Sequence, residues 1–406
     1  MLRGILFAVV AAVTLAGCGS TAAPATPDRA SPAPDSPAPD SPAPANPAPA
    51  SPAQADPTQA LAGDSQTTSA PAGSAASSGT CPDPVALTAE QLATLLIVPG
   101  ISASSGWPDW LPAGAGGVFL GSTSGSAGLA DGGFGSRPGT LLPFVAVDYE
   151  GGLVSGQSGF IGSAPSPREQ AATMSTDEVR ALAADRGGAM RAGGVTVDFA
   201  PVVDLDLGSP VIGSRSYGAD PATVVRYAGA FSDGLHDAGV VPVLKHFPGH
   251  GSTDSDSHKA LSTTDSWEVV QQRDVPLYRE LLARPGPWMV MMGHLVVPGL
   301  SADADTVTSV DPAAYRALRQ TTGFVGPVIT DDLVNMKAVA DRMTSVDAVV
   351  ASISAGADLA LMTEAQDYGD AVAALVAWDQ SDPAHHAQLT ASATRALSVL
   401  PCATTR

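Results

Sequence analysis

The residues best suited to chemistry lie at positions 245–258, where the chain reads Lys-His-Phe-Pro-Gly-His-Gly-Ser-Thr-Asp-Ser-Asp-Ser-His. This stretch contains side chains that transfer protons and hold polar ligands. Asp256 and His258 are two residues apart, so in a turn the carboxylate can reach the imidazole, fix its tautomer and stabilise the imidazolium. We therefore expect general acid–base chemistry here, on a loop that closes over a bound ligand.

The same stretch has a second interpretation as a zinc site. Its ligands would be His246, His250, Asp256 and His258. Two histidines four residues apart bind zinc readily when they share one face of a helix. Pro248 and Gly249 lie between His246 and His250 and exclude a helix there. We therefore expect no metal and no other cofactor.

The elements that must position these residues alternate between strand and helix. Residues 240–244 form a short apolar run typical of a strand buried on both faces, which puts Lys245 and His246 at its C-terminal end. Similar runs occupy residues 95–98, 118–120, 144–147, 195–203, 289–292, 328–330 and 359–362. Helical segments lie between them, and residues 220–239 are the clearest, with Asp220 as cap and Gly239 as end. Eight such strands predict an α/β fold, a closed (β/α)8 TIM-type barrel; an open doubly wound sheet is the alternative.

Polar side chains follow several of the predicted strands, at the point where each strand ends. They are Asp148 and Glu150, Asp204 and Arg215, Lys245 and His246, His294, and the pair Asp331 and Asp332. Active sites of such barrels lie at the C-terminal ends of the strands. A lone arginine or histidine there is often a packing or ion-pair residue. Because only 15% of the chain is charged, this convergence nevertheless predicts one polar pocket.

Several of these stretches together resemble a known family. The residues concerned are 148–152 (Asp-Tyr-Glu-Gly-Gly), 199–204, 211–216, 245–258 and 329–333. They are similar to glycoside hydrolase family 3, and within it to the β-N-acetylglucosaminidase branch. The resemblance implies a retaining exo-enzyme that releases terminal N-acetylglucosamine through a glycosyl-enzyme intermediate, with peptidoglycan fragments as the substrate.

The resemblance also implies roles for individual residues. A retaining glycosidase needs an attacking carboxylate and a group that donates and then recovers a proton. Asp331 matches the family's nucleophile, and His258 oriented by Asp256 matches the proton donor of this branch. Asp148, Arg215, Lys245 and His246 match the residues that hold sugar hydroxyls and the N-acetyl group. Glu150 is expected to support the Gly151-Gly152 turn.

The chain departs from the family pattern in three places. Leu153 stands where relatives carry arginine, which puts one outer contact in doubt. Counting back from Asn335 selects Asp332 as nucleophile, whereas counting along the strand selects Asp331, and strand register favours the latter. We expect no counterpart of the second domain that some larger relatives carry.

Two other functions stay open at this point. One is a family relative that cleaves β-glucosides or xylosides, which the loop with Asp256 and His258 disfavours. The other is a catalytically silent lipoprotein that binds the cell wall. A pure binder has no need of Asp331, Asp256 and His258 together, so an enzyme is favoured.

The first 80 residues predict export. Residues 1–18 combine Arg3, a short apolar stretch and Leu-Ala-Gly-Cys, which resembles the lipobox of bacterial lipoproteins. That stretch is too short to span a membrane stably, and an ordinary cleaved signal is the alternative. We expect Cys18 to become the lipidated N-terminus of an outward-facing protein anchored to the cell membrane. Residues 19–80, rich in proline, alanine and serine, predict a disordered linker.

Residues 81–406 form the predicted catalytic domain. Its two cysteines, Cys81 and Cys402, are expected to form a disulfide between the domain's ends, with two free thiols as the alternative. The 20 Lys+Arg against 40 Asp+Glu give a formal charge of -20, which excludes a nucleic acid as the expected partner. We expect a monomer that binds a carbohydrate.

Overall fold

A computed structural model describes residues 82–399, apart from 105, 113, 123, 124, 136–143, 302 and 304. Cys18, Cys81 and Cys402 lie outside the described residues, as do residues 1–18 and 19–80. The signal peptide, the lipidation, the linker and the disulfide therefore stay predictions. Within the described part of the chain, no helix combines the length and the apolar character needed to cross a bilayer.

Eight parallel strands form the centre of the fold. They are β1 (Ile97–Ile101), β2 (Gly117–Leu120), β3 (Phe144–Val147), β4 (Val197–Asp198), β5 (Val241–Phe247), β6 (Met289–Met292), β7 (Val328–Thr330) and β8 (Ala360–Met362). From β1 to β7 each strand pairs with the next along the chain, and β8 pairs with β1. The remaining gap closes between β7 and β8, where Ile329 bridges Leu359 in parallel and the Thr330 N–H donates to the Leu359 carbonyl at 3.1 Å. The predicted TIM-type barrel is confirmed, and the open sheet is excluded.

The barrel strands are buried on both faces. Every residue of β1, β3, β5 and β6 is buried, although β5 contains Lys245 and His246. Strands covered by the barrel interior on one side and by helices on the other need near-continuous apolar sequence. This requirement explains why the strands were visible in the sequence as apolar runs.

Helices and short turns connect the strands. The helices are α1 (Ala89–Leu96), α2 (Ser158–Ile161), α3 (Pro167–Thr173), α4 (Thr176–Ala192), α5 (Pro221–Asp237), α6 (Trp267–Arg273), α7 (Val275–Leu282), α8 (Pro312–Thr322), α9 (Lys337–Ala340), α10 (Ser345–Ala355), α11 (Tyr368–Ser381) and α12 (Pro383–Val399). Helix α5 begins as predicted, since the Asp220 carboxylate accepts the Thr223 N–H at 2.9 Å. The chain leaves this helix through Gly239 at a φ of 76°. Its apolar stripe, with Phe231 and Leu235, is buried.

Three predicted strands were wrong by more than one residue at one end or at both. Residues 95 and 96 complete α1, because Thr88 and Gln91 form a capping box that starts this helix at Ala89. Within the run 195–203, only β4 is continuous strand. Beyond it, Pro201 has no N–H to donate, and pairing with β5 continues only as an isolated bridge between Val202 and Lys245. The predicted strand 240–244 began one residue too early and ended too soon, since β5 is Val241–Phe247 and Lys245 and His246 are among its last residues.

Small pairings beyond the strand ends shape the rim. Tyr149–Gly151 pairs in antiparallel fashion with Val154–Ser155, forming a hairpin directly after Asp148. Ser262–Thr263 pairs in parallel with Leu295–Val296, which joins the segments that follow β5 and β6. Arg215 ends a short 3-10 turn, Gly213–Arg215. These pairings fix loops that carry polar side chains at one end of the barrel.

Candidate active site

The two aspartates after β7 have different environments. Asp331 is partly exposed, and its Oδ1 accepts the Asp332 N–H at 2.9 Å. Asp332 is buried, and its carboxylate accepts three backbone N–H groups, from Val334, Asn335 and Thr363, each at 3.0 Å. Asp332 therefore joins the turn to β8, and Asp331 is the carboxylate that can meet a ligand.

The electrostatic surroundings keep Asp331 ionised. Burial alone would raise the pKa of Asp331, but His246, His294 and His258 and the Asp332 N–H outweigh it and hold the pKa below its usual range. The Asp331 N–H also donates to the Met292 carbonyl at 2.9 Å, which fixes the backbone at the end of β7. A rigidly held carboxylate anion can act as a nucleophile.

Asp256 orients His258 as the sequence predicted. The Asp256 Oδ1 lies 2.9 Å from the His258 Nδ1 and accepts the His258 N–H at 3.0 Å. Burial raises the pKa of Asp256, but hydrogen bonds from Lys259 and His258 outweigh it and bring the pKa to about 2. An ionised carboxylate only accepts hydrogen bonds, so the proton lies on Nδ1 and Nε2 is the atom that can exchange one. The His258 side chain is 57% exposed, which leaves that atom accessible.

His250 fastens the loop that carries this pair. Its Nδ1 lies 3.0 Å from the Thr253 Oγ1 and its Nε2 3.0 Å from the Ser257 Oγ. The Ser257 carbonyl accepts the Ala338 N–H at 3.2 Å, and Ala338 belongs to α9, just after Asp331. The loop is therefore docked beside the segment that follows β7. His258 is close enough to Asp331 to lower the pKa of that carboxyl.

The zinc interpretation does not fit this geometry. Both ring nitrogens of His250 lie against hydroxyl groups, and burial, with His246 nearby, lowers the pKa of His250 to about 4. His258 is bound to Asp256 at the loop surface. Among the described residues, no group of three or more histidine, cysteine, aspartate or glutamate side chains is arranged to hold a metal ion.

Four charged residues form one ion-pair network at the ends of β3 and β5. The Lys245 Nζ lies 2.7 Å from the Asp148 Oδ1 and 2.6 Å from the Glu150 Oε1. Arg215 binds both Glu150 oxygens, at 2.8 and 2.7 Å. Burial raises the pKa of Glu150, but Arg215 and Lys245 bring it to about 2. Glu150 is therefore a buried anion that holds two cations, rather than mainly a support for the Gly151-Gly152 turn as predicted.

Asp204 holds His246 in the same pocket. Its Oδ2 lies 2.7 Å from the His246 Nδ1, and its Oδ1 accepts the His250 N–H at 2.6 Å. The His246 Nε2 is left facing the Arg215 Nη2 at 3.5 Å. Burial raises the pKa of Asp204, but His246 and His250 keep it below its usual range. The structure thus brings together the predicted sugar-binding residues Asp148, Arg215, Lys245 and His246.

Other buried polar residues near the pocket were not assigned a role from the sequence. His294 uses both ring nitrogens, towards the Ser309 Oγ at 2.7 Å and the Asp332 carbonyl at 2.8 Å, so it stabilises the turn after β7. Asp198 ends β4, accepts the Tyr149 N–H at 2.9 Å and has its pKa raised well above the usual range, chiefly by burial. An aspartate inside the apolar run 195–203 was the available signal for this residue.

Comparisons with known proteins agree with this architecture. Residues 136–399 match the glycosyl hydrolase family 3 N terminal domain. The chain is 44% identical over 299 residues to Beta-hexosaminidase LpqI of Mycobacterium tuberculosis, covering 69% of this chain and 76% of that relative. A Beta-hexosaminidase of Tolumonas auensis is 34% identical over 230 residues, or 53% of this chain and 65% of that relative.

Solved structures show the same similarity. A family 3 glycosyl hydrolase from Mycobacterium smegmatis superposes with a TM-score of 0.71 and 41% identity, covering 79% of this chain and 99% of that chain. A family 3 β-N-acetylglucosaminidase from a Paenibacillus species gives a TM-score of 0.68 and 27% identity, covering 77% and 62%. The chain therefore belongs to glycosyl hydrolase family 3 and is a glycoside hydrolase of its β-hexosaminidase group.

Proposed function

We propose that the protein is a retaining exo-β-N-acetylglucosaminidase that releases terminal N-acetylglucosamine, with peptidoglycan fragments as its substrates. The observation that carries the proposal is the pairing of two groups at one rim. Asp331 is an ionised carboxylate at the end of β7, and the Asp256–His258 pair lies on a loop joined to α9 through Ser257 and Ala338. These are the two functions that a double displacement needs.

In the first step, an Asp331 oxygen attacks the anomeric carbon while the glycosidic bond breaks. The step starts from the His258 imidazolium, which carries a proton on each ring nitrogen and is stabilised by Asp256. It donates its Nε2 proton to the departing oxygen, which leaves as an alcohol, and the ring becomes neutral. In the second step, water attacks the same carbon, His258 Nε2 takes the water's proton and the Asp331 carboxylate is released. The sugar is then free with its original anomeric configuration.

The ion-pair network supports binding of the sugar ring. Lys245 is a buried cation and Arg215 a partly buried one, Glu150 sets the positions of both, and Asp148 is the more exposed acceptor beside them. Charge-assisted hydrogen bonds from such fixed groups to hydroxyl and acetamido oxygens position a neutral ring strongly. The names β-hexosaminidase and β-N-acetylglucosaminidase, given to the relatives, favour N-acetylglucosamine as that ring.

Three chromogenic substrates test the proposal. The nitrophenyl β-N-acetylglucosaminide should be hydrolysed, with the β-anomer as first product by NMR, and the matching β-glucoside and β-xyloside should be poor substrates. Preference for the glucoside or xyloside would replace the proposal with the alternative specificity. Turnover of none of them, with binding to cell-wall glycan retained, would favour a silent binding protein.

We also propose that the protein is exported as a monomer anchored through lipidated Cys18, with residues 19–80 as the spacer and a Cys81–Cys402 disulfide. The support is the composition and order of residues 1–80. Cys18→Ala should shift the protein from the membrane fraction to the soluble fraction, with unchanged activity per molecule. Retention of Cys18→Ala in washed membranes would contradict the lipid anchor.

A further inference from the structure

An open groove of about 930 Å³ lies beside β1, apart from the polar pocket described above. Its walls come from α1, the C-terminal end of β1, the connection at residues 106–112, and the segment from 365 into α11. We call it the Trp110 groove. It contains none of the residues assigned to catalysis or to the ion-pair network.

Trp110 gives the groove an accessible aromatic face. Trp110 is 49% exposed, and among the described residues no other phenylalanine, tyrosine or tryptophan is exposed to this degree. The buried ring of Tyr368 supports it from below, with ring centroids 5.7 Å apart and planes inclined at 60°. Pro108 and Pro112 flank it in the wall and limit backbone freedom. A rigid, half-exposed indole is a typical binding surface for a flat apolar face of a ligand.

The polar groups of the groove restrict the class of ligand. Glu90 is the only charged residue in its described lining, and neither lysine nor arginine contributes, so the groove is unsuited to phosphate or carboxylate ligands. Within the described part of the chain, the Gln366 amide and the Glu90 carboxylate make no hydrogen bond to other side chains or to the backbone. The Glu90 carboxylate can therefore accept hydrogen bonds, and the Gln366 amide can accept and donate them, from a neutral ligand rich in hydroxyl and amide groups. A sugar ring combines such groups with an apolar C–H face.

The groove opens on the same rim as Asp331. Ser102 follows β1 and Gln366 follows β8, and β8 lies between β1 and β7, the strand that Asp331 follows. The Asn335 Nδ2 donates to the Thr363 Oγ1 at 3.0 Å, which links the segment after Asp331 to the end of β8. A glycan held in the groove is thus one strand away from the proposed site of cleavage.

We propose that the Trp110 groove is a second carbohydrate-binding site, which holds a neutral N-acetylglucosamine-containing segment of a glycan chain by stacking on Trp110 and hydrogen bonding to Gln366 and Glu90. The identity of the sugar rests on the proposed function. The site favours long chains over single sugars, because a nitrophenyl glycoside is too short to occupy the catalytic pocket and the groove together.

The test compares Trp110→Ala with wild type on chitohexaose and on the nitrophenyl N-acetylglucosaminide. We expect KM for the hexasaccharide to rise roughly five- to tenfold, in line with the loss of one stacked ring. Both kcat and KM for the nitrophenyl substrate should stay within about twofold of the wild-type values. Trp378→Ala is the matched control, since Trp378 is a partly exposed indole on α11 that stacks on His385 outside the groove. Trp378→Ala should leave kcat and KM for both substrates unchanged.

Two further measurements keep the outcome clear. Gln366→Ala disturbs packing less than loss of an indole and should also raise KM for the hexasaccharide alone. Calorimetric binding of chitohexaose to the full-length protein carrying Asp331→Asn should weaken when Trp110→Ala is added. Unchanged hexasaccharide KM and affinity in the Trp110 variant, or equal losses on both substrates, would overturn the groove as a binding site. A wild type that hydrolyses neither substrate would instead refute the proposed function, and the binding measurement would still decide the role of the groove.

Discussion

Removal of the His258 imidazole is the sharpest test of the proposed mechanism. Asp256 holds the Nδ1 side of the ring at 2.9 Å, so His258→Ala deletes Nε2, the ring nitrogen left to exchange a proton. General acid catalysis typically contributes 10²- to 10⁴-fold, or about 3–5 kcal/mol of barrier. We expect a loss of that size in kcat/KM on chitobiose, whose departing sugar oxygen must be protonated. The nitrophenyl glycoside should lose much less in kcat/KM, because nitrophenolate departs without a proton.

The second step adds an independent signature. The His258→Ala enzyme still forms the intermediate from the nitrophenyl substrate but lacks the base that activates water. Stopped-flow measurements should therefore show a burst of about one equivalent of nitrophenol followed by slow turnover. Azide, which needs no base, should restore the steady-state rate and yield the β-glycosyl azide.

A histidine elsewhere supplies the control. His385→Ala removes a ring that stacks on Trp378, away from the rim, and should leave both substrates unaffected. The His258 side chain is 57% exposed, so its removal should change the unfolding free energy by no more than about 0.5 kcal/mol. Equal losses on chitobiose and the nitrophenyl glycoside, with no burst, would show that His258 is not the proton donor.

Four further substitutions follow from the structure. Asp331→Asn should abolish turnover with little change in the free energy of unfolding measured in urea. Asp332→Asn should lower that free energy by about 1–3 kcal/mol, because an amide nitrogen cannot accept the backbone N–H groups that the Asp332 carboxylate accepts. The reverse pattern would make Asp332 the nucleophile. The folded-state pKa of Glu150 is lowered from 4.5 to about 2, so its stabilisation is complete above pH 4.5 and is lost as pH falls towards 2. Glu150→Gln should lower the free energy of unfolding by about 3–5 kcal/mol at pH 7 and remove the loss of stability that Glu150 causes on acidification. An unchanged slope of stability against pH would contradict the ion-pair account. Burial raises the pKa of Asp274 from 3.8 to about 7, so the stability that its protonated form contributes is lost as pH rises through 7. Asp274→Asn should therefore narrow the difference in stability between pH 5 and pH 8, measured by thermal unfolding. A difference as large as that of wild type would refute this explanation.

Local signals in the sequence predicted much of the fold. The cap at Asp220 and the apolar stripe ending near Gly239 predicted α5 to within a few residues, because both depend on neighbours a few positions away. The strands Phe144–Val147 and Met289–Met292 were predicted to the residue, since strands buried on both faces have near-continuous apolar sequence. The prediction failed at residues 95 and 96, which complete α1, because a short apolar run fits a buried helix as well as a buried strand.

The sequence by itself determined which chemical groups are present and the contacts between near neighbours, such as Asp256 with His258 at a spacing of two residues. Only the tertiary structure decided which of Asp331 and Asp332 faces the rim and that Glu150 binds both Lys245 and Arg215. It also placed His258 near Asp331, through a loop docked on α9, and left Trp110 exposed over Tyr368. Such contacts join residues that are far apart along the chain, and they form only once the order of the strands and closure of the barrel bring those residues together.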